Sequence, residues 1–140
     1  MADIFSPSKR SEVMSRIRSK GNRSTEQRAI RLFRSQGITG WRRGSTLRGK
    51  PDFVFRHARL AVFVDGCFWH GCPKHFRLPT SNQTFWRTKI DRNQLRDKEV
   101  SRKLRSIGWQ VLRIWEHDLK DKRSRSRVLP RLLKILTPRF

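Results

Sequence analysis

The amino-acid sequence predicts an α/β or α+β domain in which helices flank a sheet. Segments with helical spacing of apolar residues alternate with short strand-like segments, in the order helix, helix, strand, hairpin, long helix, strand, helix. With 140 residues, 35% of them hydrophobic, the chain is long enough for one modest core. We therefore expect a single domain over residues 1–140.

Four segments have the apolar spacing and the end signals of helices. They are residues 1–20, which are strongly basic, residues 24–36, residues 82–107, and residues 127–136 within a C-terminal segment 120–140. Ser24 and Gln27 form a predicted capping box for the second helix, and Gly37 ends it. Gly108 ends the third helix, which is the longest. The apolar stripe of this helix consists of residues that recur near helical spacing: Phe85, Trp86, Ile90, Leu95, Val100, Leu104 and Ile107. Pro130 is expected near the first turn of the last helix, where its missing N–H is tolerated.

Four segments have the composition of strands, and the second and third are close enough to form a hairpin. They are residues 41–43, 51–55, 60–65 and 109–115. The third is an apolar run that leads into a loop with both cysteines of the chain and two of its four histidines. Side chains with metal-binding and acid–base chemistry therefore follow a strand end, where a rigid scaffold positions a site.

The charge of the chain predicts a nucleic-acid partner. It has 34 Lys and Arg residues against 11 Asp and Glu residues, which gives a formal net charge of +23. An excess of this size repels itself unless a polyanion offsets it, and phosphate contacts with counterion release do so. On charge alone, a ribosomal-type basic protein fits as well as a DNA-binding one.

The sequence does not indicate export or membrane insertion. No apolar run approaches the roughly 20 residues that cross a bilayer, and the first residues lack the apolar stretch of a secretory signal. Two cysteines separated by four residues in such a chain are expected to be metal ligands or free thiols before a disulfide. We expect a cytoplasmic, nucleoid-associated monomer.

Cys67, Cys72 and His75, together with His117 from a later strand end, form a candidate zinc site. Two thiolates and two imidazoles make the closed tetrahedral type of site, which stabilises small folds. The gap to His117 is long, and buried cysteines are commonly plain hydrophobic residues, so spacing alone leaves both interpretations open. His70 suits proton transfer near neutral pH, or is a surface histidine, or replaces His75 as a ligand.

Two carboxylates stand out in a chain with few acids. Asp52 lies at the start of an otherwise apolar strand, where an unpaired carboxylate would be costly to desolvate. It caps a turn, pairs with one of the many arginines, or binds a divalent metal. Glu26 either favours the dipole of its helix from the first turn or has a catalytic role.

Two Phe-Trp pairs, Phe68-Trp69 and Phe85-Trp86, lie in or near this loop. Flat side chains on a basic surface stack on bases or push between base pairs. A single Trp more often belongs to the core, so both core packing and DNA contact stay open for these pairs.

Several of these residues belong to a longer pattern. It consists of Pro51-Asp52-Phe53-Val54, Gly66-Cys67-Phe68-Trp69-His70, Phe85-Trp86 with Lys89-Ile90, Arg96-Asp97, and Gly108-Trp109 through Trp115-Glu116. The pattern resembles the very short patch repair (Vsr) endonucleases, over most of the chain from about Ser11 to Leu119. The resemblance implies a fold like the core of type II restriction endonucleases, a mixed sheet with helices on both sides. It also implies Mg²⁺-dependent nicking of DNA on the 5′ side of the thymine in a T·G mismatch, which arises by deamination of 5-methylcytosine.

The resemblance further implies roles for individual residues. Asp52 corresponds to the carboxylate that binds the catalytic Mg²⁺, and the backbone carbonyl of Val64 is a further metal contact. His70 corresponds to the general base that activates water, and Glu26 to a helix-borne acid in the outer shell of the metal site. The remaining assignments are Phe68, Trp69 and Trp86 as aromatics that wedge into DNA beside the mismatch, and Cys67, Cys72, His75 and His117 as a structural zinc site.

The chain departs from the pattern of a well-known family member at several positions. It has Val64 and Asp65 where that member has threonine and histidine, and His117 where that member has cysteine. Asp65 either joins the catalytic metal shell or caps the loop. The zinc loop has one extra residue, but four nitrogen and sulfur ligands remain, so the zinc expectation holds.

Duplex DNA with a T·G mismatch is the partner that the resemblance implies, with mismatch-repair proteins as further candidates. Two other functions remain open. One is a nicking endonuclease with another mismatch or an intact sequence as its target. The other is a catalytically inactive, zinc-stabilised DNA-binding module, which the changes at Val64 and Asp65 permit.

Overall fold

The computed structural model describes residues 25–137 of the chain. The predicted N-terminal helix in residues 1–20 and the predicted N-cap Ser24 lie outside the described residues. A first helix, α1, covers residues 25–35, and Gly37 follows it with a positive φ of 66°, as expected for a glycine that ends a helix. No helix between residues 25 and 137 is both long enough and apolar enough to span a membrane.

The other elements follow the predicted order. They are β1 (Trp41–Arg42), β2 (Phe53–Phe55), β3 (Leu60–Asp65), α2 (Gln83–Ser106), β4 (Gln110–Trp115) and α3 (Lys122–Leu136), with 3₁₀ turns at Arg56–Ala58 and Glu116–Leu119. The strands form a four-stranded sheet in the order β1-β2-β3-β4. Strands β1, β2 and β3 pair antiparallel, whereas β3 and β4 pair parallel across the long connection through α2. The predicted mixed sheet with helices is confirmed.

The alternating side chains of β3 divide the core into two layers. Leu60 and Val62 belong to the larger hydrophobic cluster, in which α1 and α3 pack on one face of the sheet. Ala61 and Phe63 pack on the opposite face with Leu104 of α2. Because successive strand residues point to opposite faces, an apolar run such as β3 is buried only when helices cover both. The predicted flanking of the sheet by helices is therefore confirmed.

The buried face of α2 differs from the predicted apolar stripe. Trp86, Ile90 and Leu104 are buried, but Leu95 is 66% exposed. Leu95 lies five positions after Ile90, which turns it about 140° around the helix axis. Its expected place on the buried face is therefore wrong, and the polar residue Ser101 is buried there instead.

The last helix begins earlier than predicted. Helix α3 starts at Lys122, not at residue 127, because Asp121 caps it: its side chain accepts a hydrogen bond of 2.8 Å from the amide of Ser124. Pro130 consequently lies inside the helix, although it was expected near the first turn. Packing of Val128 on the core keeps this part of the helix in place.

Candidate active site and metal centre

The end of β3 leads into a loop that folds back on itself. The amide of Cys72 donates a hydrogen bond of 2.8 Å to the carbonyl of Cys67. Gly71 has a positive φ of 64°, and a Cβ at this position would lie 2.4 Å from Nε2 of Gln94. Both the left-handed backbone and the close approach of α2 require glycine here.

Two polar residues of α2 hold this loop against the helix. Nδ2 of Asn93 donates to the carbonyl of Trp69 at 2.9 Å. Nε2 of Gln94 lies 3.2 Å from the carbonyl of His70 and 3.3 Å from that of Gly71. Sequence reasoning missed both residues, because an Asn-Gln pair among helix charges looks like ordinary solvent-exposed surface.

The four predicted zinc ligands lie together. One ligand atom from each of Cys67, Cys72, His75 and His117 falls within 4.8 Å of all the others. Nδ1 of His117 is 3.3 Å from Sγ of Cys67 and 3.5 Å from Sγ of Cys72. Nδ1 of His75 is 3.8 Å from Sγ of Cys72. The cysteines are buried and form no disulfide, so the loop and the 3₁₀ turn after β4 together make a cluster of two thiols and two imidazoles.

This donor set fits zinc. Burial raises the pKa of the Cys67 thiol to about 12, so a cation is needed to hold it as a thiolate near neutral pH. Two sulfur and two nitrogen ligands around one point match the tetrahedral preference of Zn²⁺. The cluster therefore suggests a structural zinc site of the closed type.

Residues around β4 support the cluster from outside. Oε1 of Glu116 accepts a hydrogen bond of 2.8 Å from the amide of Cys67. Oδ1 of Asp118 lies 3.5 Å from Nε2 of His117, and the ring of Trp115 stacks on the same imidazole with an interplanar angle of 12°. Such outer contacts fix the orientation and tautomer of a ligating histidine.

Asp52 and Glu26 form a second group of chemically active side chains. Oδ2 of Asp52 accepts a hydrogen bond of 2.7 Å from the amide of Val64 in β3. The carboxyl groups of Asp52 and Glu26 are in hydrogen-bonding contact, and Glu26 also pairs with Arg43. The sequence left open whether Asp52 pairs directly with an arginine. In the described part of the chain, Arg43 instead pairs with Glu26, which contacts Asp52.

The environment of Asp52 favours its neutral form. Burial is the largest cause, the neighbouring charge of Glu26 adds to it, and the hydrogen bond from Val64 opposes it, so the pKa of Asp52 is raised to about 7. A divalent cation would remove this repulsion, and carboxylate and carbonyl oxygens are the ligands that Mg²⁺ prefers. The residues present therefore fit a Mg²⁺ site.

His70 lies between two carboxylates and outside the cluster of cysteines and histidines. Its Nδ1 is 2.5 Å from Oδ2 of Asp97, and its Nε2 is 3.8 Å from Oδ1 of Asp65. Burial opposes protonation of the ring, but the hydrogen bond to Asp97 and the charge of Asp65 outweigh it, so the pKa of His70 is raised. The arrangement of imidazole and carboxylate is typical of an acid–base group.

Sequence reasoning gave no role to Asp97, although it belongs to the quoted pattern, and it missed Arg113 altogether. Nη1 of Arg113 lies 3.0 Å from Oδ1 of Asp65, so this buried carboxylate is paired with an arginine of β4. Burial raises the pKa of Asp65, and the charges of His70 and Arg113 work against that shift. Two signals for Asp97 were available: its place in the quoted pattern, and its position seven residues after Ile90, on the same helical face.

The aromatic pairs form one cluster beside His70. The ring of Phe68 lies 5.2 Å from that of Trp69 and 5.4 Å from that of Trp86, measured between centroids. Trp86 is only 4% exposed, whereas the neighbouring Phe85 is 53% exposed. Phe68 and Trp69 are partly exposed. Core packing and an open aromatic surface are therefore both present in this cluster.

Comparison with known protein families distinguishes between the functions that the sequence leaves open. The model of the family described as DNA mismatch endonuclease Vsr matches residues 2–76, more than half of the chain. The chain belongs to the Vsr family. It is therefore a DNA endonuclease whose fold is of the restriction-endonuclease type, with DNA as its substrate.

The chain is similar to two nicking enzymes and to a mismatch endonuclease. It is 51% identical over 77 residues to the type II nicking enzyme V.NaeI of Lentzea aerocolonigenes, a match that covers 55% of the chain and 46% of that enzyme. It is 40% identical over 124 residues to the type II nicking enzyme V.NmeAIP of Neisseria meningitidis serogroup A, covering 87% of each. It is 34% identical over 123 residues to the DNA mismatch endonuclease Vsr of Escherichia coli strain K12, covering 87% of the chain and 78% of that enzyme.

In this Vsr-family enzyme, a cleft of about 710 Å³ opens beside Asp52. Its lining residues are Glu26, Arg43, Gly44, Ser45, Thr46, Lys50, Pro51 and Asp52. The cleft has the size of a small-molecule or nucleotide site. Both acids of the candidate Mg²⁺ site therefore face a space with two basic side chains, which suits an approaching phosphate.

Proposed function

We propose that this enzyme is a Mg²⁺-dependent endonuclease that nicks DNA on the 5′ side of the thymine in a T·G mismatch, the product of 5-methylcytosine deamination. The observation that carries the proposal is the buried carboxyl of Asp52, whose pKa is raised to about 7 next to Glu26 and a cleft. A strongly perturbed carboxyl beside a second acid in a cleft is typical of a catalytic metal site. The E. coli relative named DNA mismatch endonuclease Vsr supports the mismatch as target.

Asp52 and the backbone carbonyl of Val64 would hold Mg²⁺, with Glu26 in the outer shell. When bound, the ion supplies positive charge that stabilises the negative charge developing on the scissile phosphate. The hydrogen bond of 2.7 Å from the amide of Val64 holds the Asp52 carboxylate at β3. Asp65 contributes to the catalytic site as the carboxylate that faces His70.

His70 acts as the general base in this proposal. Nδ1–H of the neutral imidazole donates a hydrogen bond to the Asp97 carboxylate, so the unprotonated Nε2 is the basic nitrogen. Nε2 removes a proton from water, whose oxygen forms a bond to phosphorus while the bond from phosphorus to the 3′ oxygen breaks. The leaving oxygen takes a proton from solvent, and the products carry a 3′-hydroxyl and a 5′-phosphate.

Mismatch selectivity comes from the aromatic cluster. A wobble pair costs less to unstack than a matched pair, so rings that push between bases favour mismatched DNA. Phe68 and Trp69 are partly exposed and make the first contact with the bases. Trp86 is only 4% exposed, so it either enters the DNA after these two rings or supports them from the protein side. The net charge of +23 supplies affinity through phosphate contacts.

The zinc site holds the loop that carries His70. Cys67 and Cys72 lie on either side of His70 in the sequence, so a metal bound to both fixes the path of the chain between them.

The domain acts as a monomer in the cytoplasm, at the nucleoid. Mismatch-repair proteins are candidate further partners.

A second target class is favoured by the relatives named type II nicking enzymes, V.NaeI and V.NmeAIP. In this version the same chemistry acts on another mismatch or on an intact recognition sequence. The catalytic residues are unchanged, and only the contacts that select the DNA differ.

A panel of end-labelled duplexes tests the proposal. The duplexes share flanking sequences in several contexts and contain T·G, each other single mismatch, or only matched pairs. We expect Mg²⁺-dependent nicking of the thymine strand on its 5′ side in T·G duplexes, with Asp52→Asn as the inactive control. Preferred cutting of another mismatch or of a matched sequence would support the second target class, and an uncut panel would refute both.

A further inference from the structure

Arg113 of β4 makes contacts throughout the group around His70. Its Nη1 lies 3.0 Å from Oδ1 and 3.2 Å from Oδ2 of Asp65, so one nitrogen spans both oxygens of this carboxylate. Its Nη2 donates to the backbone carbonyl of Asp97 at 3.1 Å, and its Nε donates to Oγ of Ser101 at 2.9 Å. The guanidinium also lies 4.2 Å from the ring centroid of Phe63. It is thus held from two sides, by β3 and by α2.

Two carboxylates compete for the same imidazole. Asp97 bonds Nδ1 of His70 at 2.5 Å, while Oδ1 of Asp65 stands 3.8 Å from Nε2, just beyond hydrogen-bond distance. The side chain of Asp65 is only 8% exposed, so solvent cannot satisfy its charge. Without another partner, Asp65 would gain most by bonding Nε2. That is the nitrogen which a general base needs for water.

The guanidinium also lies beside a cluster that resembles a metal site. One ligand atom each of Asp65, His70 and Asp97 lies within 4.8 Å of the others. Nη1 of Arg113 lies 3.0 Å from Asp65 and 3.7 Å from Asp97, so a fixed positive charge stands close to both carboxylates. The guanidinium would repel a metal ion at this position.

We propose that Arg113 is a positioning residue, whose guanidinium ties up the Asp65 carboxylate so that Asp97 alone orients His70 and Nε2 stays free for the attacking water. The inference rests on the proposed role of His70 as general base. It also explains how the Asp65 carboxylate can face His70 in the catalytic site without bonding Nε2: the arginine holds it.

Four variants test this function. Arg113→Met removes the guanidinium, and Arg113→Lys keeps the charge but loses the separate donors to the Asp97 carbonyl and to Ser101. Arg113→Met combined with Asp65→Asn removes both charges, so no unpaired buried carboxylate remains. Arg105→Met, on the exposed side of α2, is the matched control for losing one positive charge.

Single-turnover nicking on the preferred duplex and the Kd for that duplex are measured for each variant. We expect Arg113→Met to slow nicking by about 10²-fold, as displaced catalytic groups commonly do, with a Kd equal to that of Arg105→Met. The double variant should recover about tenfold over Arg113→Met, because the competing carboxylate is gone. Arg113→Lys should fall between Arg113→Met and the unaltered enzyme. Equal rates for Arg113→Met and Arg105→Met would overturn the inference, as would a double variant that is no faster.

An NMR readout separates this inference from the proposed function. The ring N–H proton of His70 that is bonded to Asp97 gives a downfield signal, assigned by its loss in His70→Gln. We expect the signal in the unaltered chain and in the double variant, and its shift or loss in Arg113→Met. If no duplex is cut, the proposed function fails and the signal alone decides on the positioning role. If Arg113→Met does not fold, the double variant carries the test, and a double variant that folds but lacks the signal overturns the inference.

Discussion

Nδ1 of His70 and Oδ2 of Asp97 lie 2.5 Å apart, so the loop after β3 is joined directly to the middle of α2. A carboxylate at this distance orients the ring and stabilises its protonated form. The orientation of the proposed general base therefore depends on a helix residue to which the sequence analysis gave no role.

Asp97→Asn should slow nicking by about 10²-fold, the order of magnitude of a general-base contribution. The amide keeps the shape of the side chain but loses the charge that favours proton transfer to His70. The measurement is the single-turnover rate with enzyme in excess of labelled T·G duplex, together with the Kd. Asp91→Asn, an exposed acid of the same helix, is the control. An Asp97→Asn enzyme as fast as this control would show that the contact has no catalytic importance.

The contribution of Asp52 to folding stability without added Mg²⁺ should fall as the pH rises from about 4 to about 7. Burial raises the pKa of Asp52 from 3.8 to about 7. Between these values the folded chain keeps a proton on Asp52 that the unfolded chain releases, so rising pH favours unfolding. Asp52→Asn should remove this part of the pH dependence and increase the urea midpoint at pH 8.

Urea midpoints of the unaltered chain and of Asp52→Asn, measured from pH 4 to pH 8 at constant zinc, check this expectation. The difference between the two curves isolates Asp52 from other titrating groups, among them His70. A difference that does not change across this pH range would contradict the raised pKa.

Loss of one zinc-site cysteine should unfold or strongly destabilise the domain. Cys72→Ser removes a buried thiol whose Sγ lies 3.5 Å from Nδ1 of His117. Structural zinc sites contribute directly to folding, so we expect a loss on the order of 5 kcal/mol or more. Metal analysis should find one zinc per chain in the unaltered protein and less in this variant. His57→Ala, outside the cluster, should keep its zinc; equal zinc content and equal melting temperature in both variants would refute the site.

Trp69→Ala should weaken binding to mismatched DNA more than binding to matched DNA. Stacking of one base on an aromatic side chain is worth about 1–3 kcal/mol, so a comparable loss is expected for the T·G duplex alone. Fluorescence anisotropy with T·G and T·A duplexes at one salt concentration measures both affinities. Leu95→Ala, which shortens a side chain that is 66% exposed, is the apolar control. An equal loss on both duplexes would assign Trp69 to the core or to backbone contacts.

The fold could be predicted because its elements carry local signals. Apolar residues of β3 stand in one uninterrupted run, and glycines stand where helices end, at Gly37 and Gly108. The predictions that were wrong concern positions decided by the angle around a helix axis or by a competing local signal. Leu95 is turned away from the sheet by helix geometry, and Asp121 starts α3 before the region that Pro130 suggested.

The candidate site could be predicted only where its residues are neighbours in the sequence. Cys67, Cys72 and His75 lie within one loop, so their spacing already indicates a metal. The pairing of Asp65 with Arg113 joins residues 48 positions apart, through the parallel register of β3 and β4 and the path of α2 between them. No local pattern encodes that register.

Mg²⁺-dependent nicking of a T·G duplex by the unaltered enzyme and by Asp52→Asn, with zinc content and Kd measured on the same samples, tests the central claim most directly. We expect the unaltered enzyme to cut the thymine strand only when Mg²⁺ is added. Asp52→Asn should bind the same duplex with equal affinity, contain equal zinc and leave the strand intact. Cutting at the same rate by both proteins, or by the unaltered enzyme without any divalent cation, would contradict a catalytic metal site at Asp52.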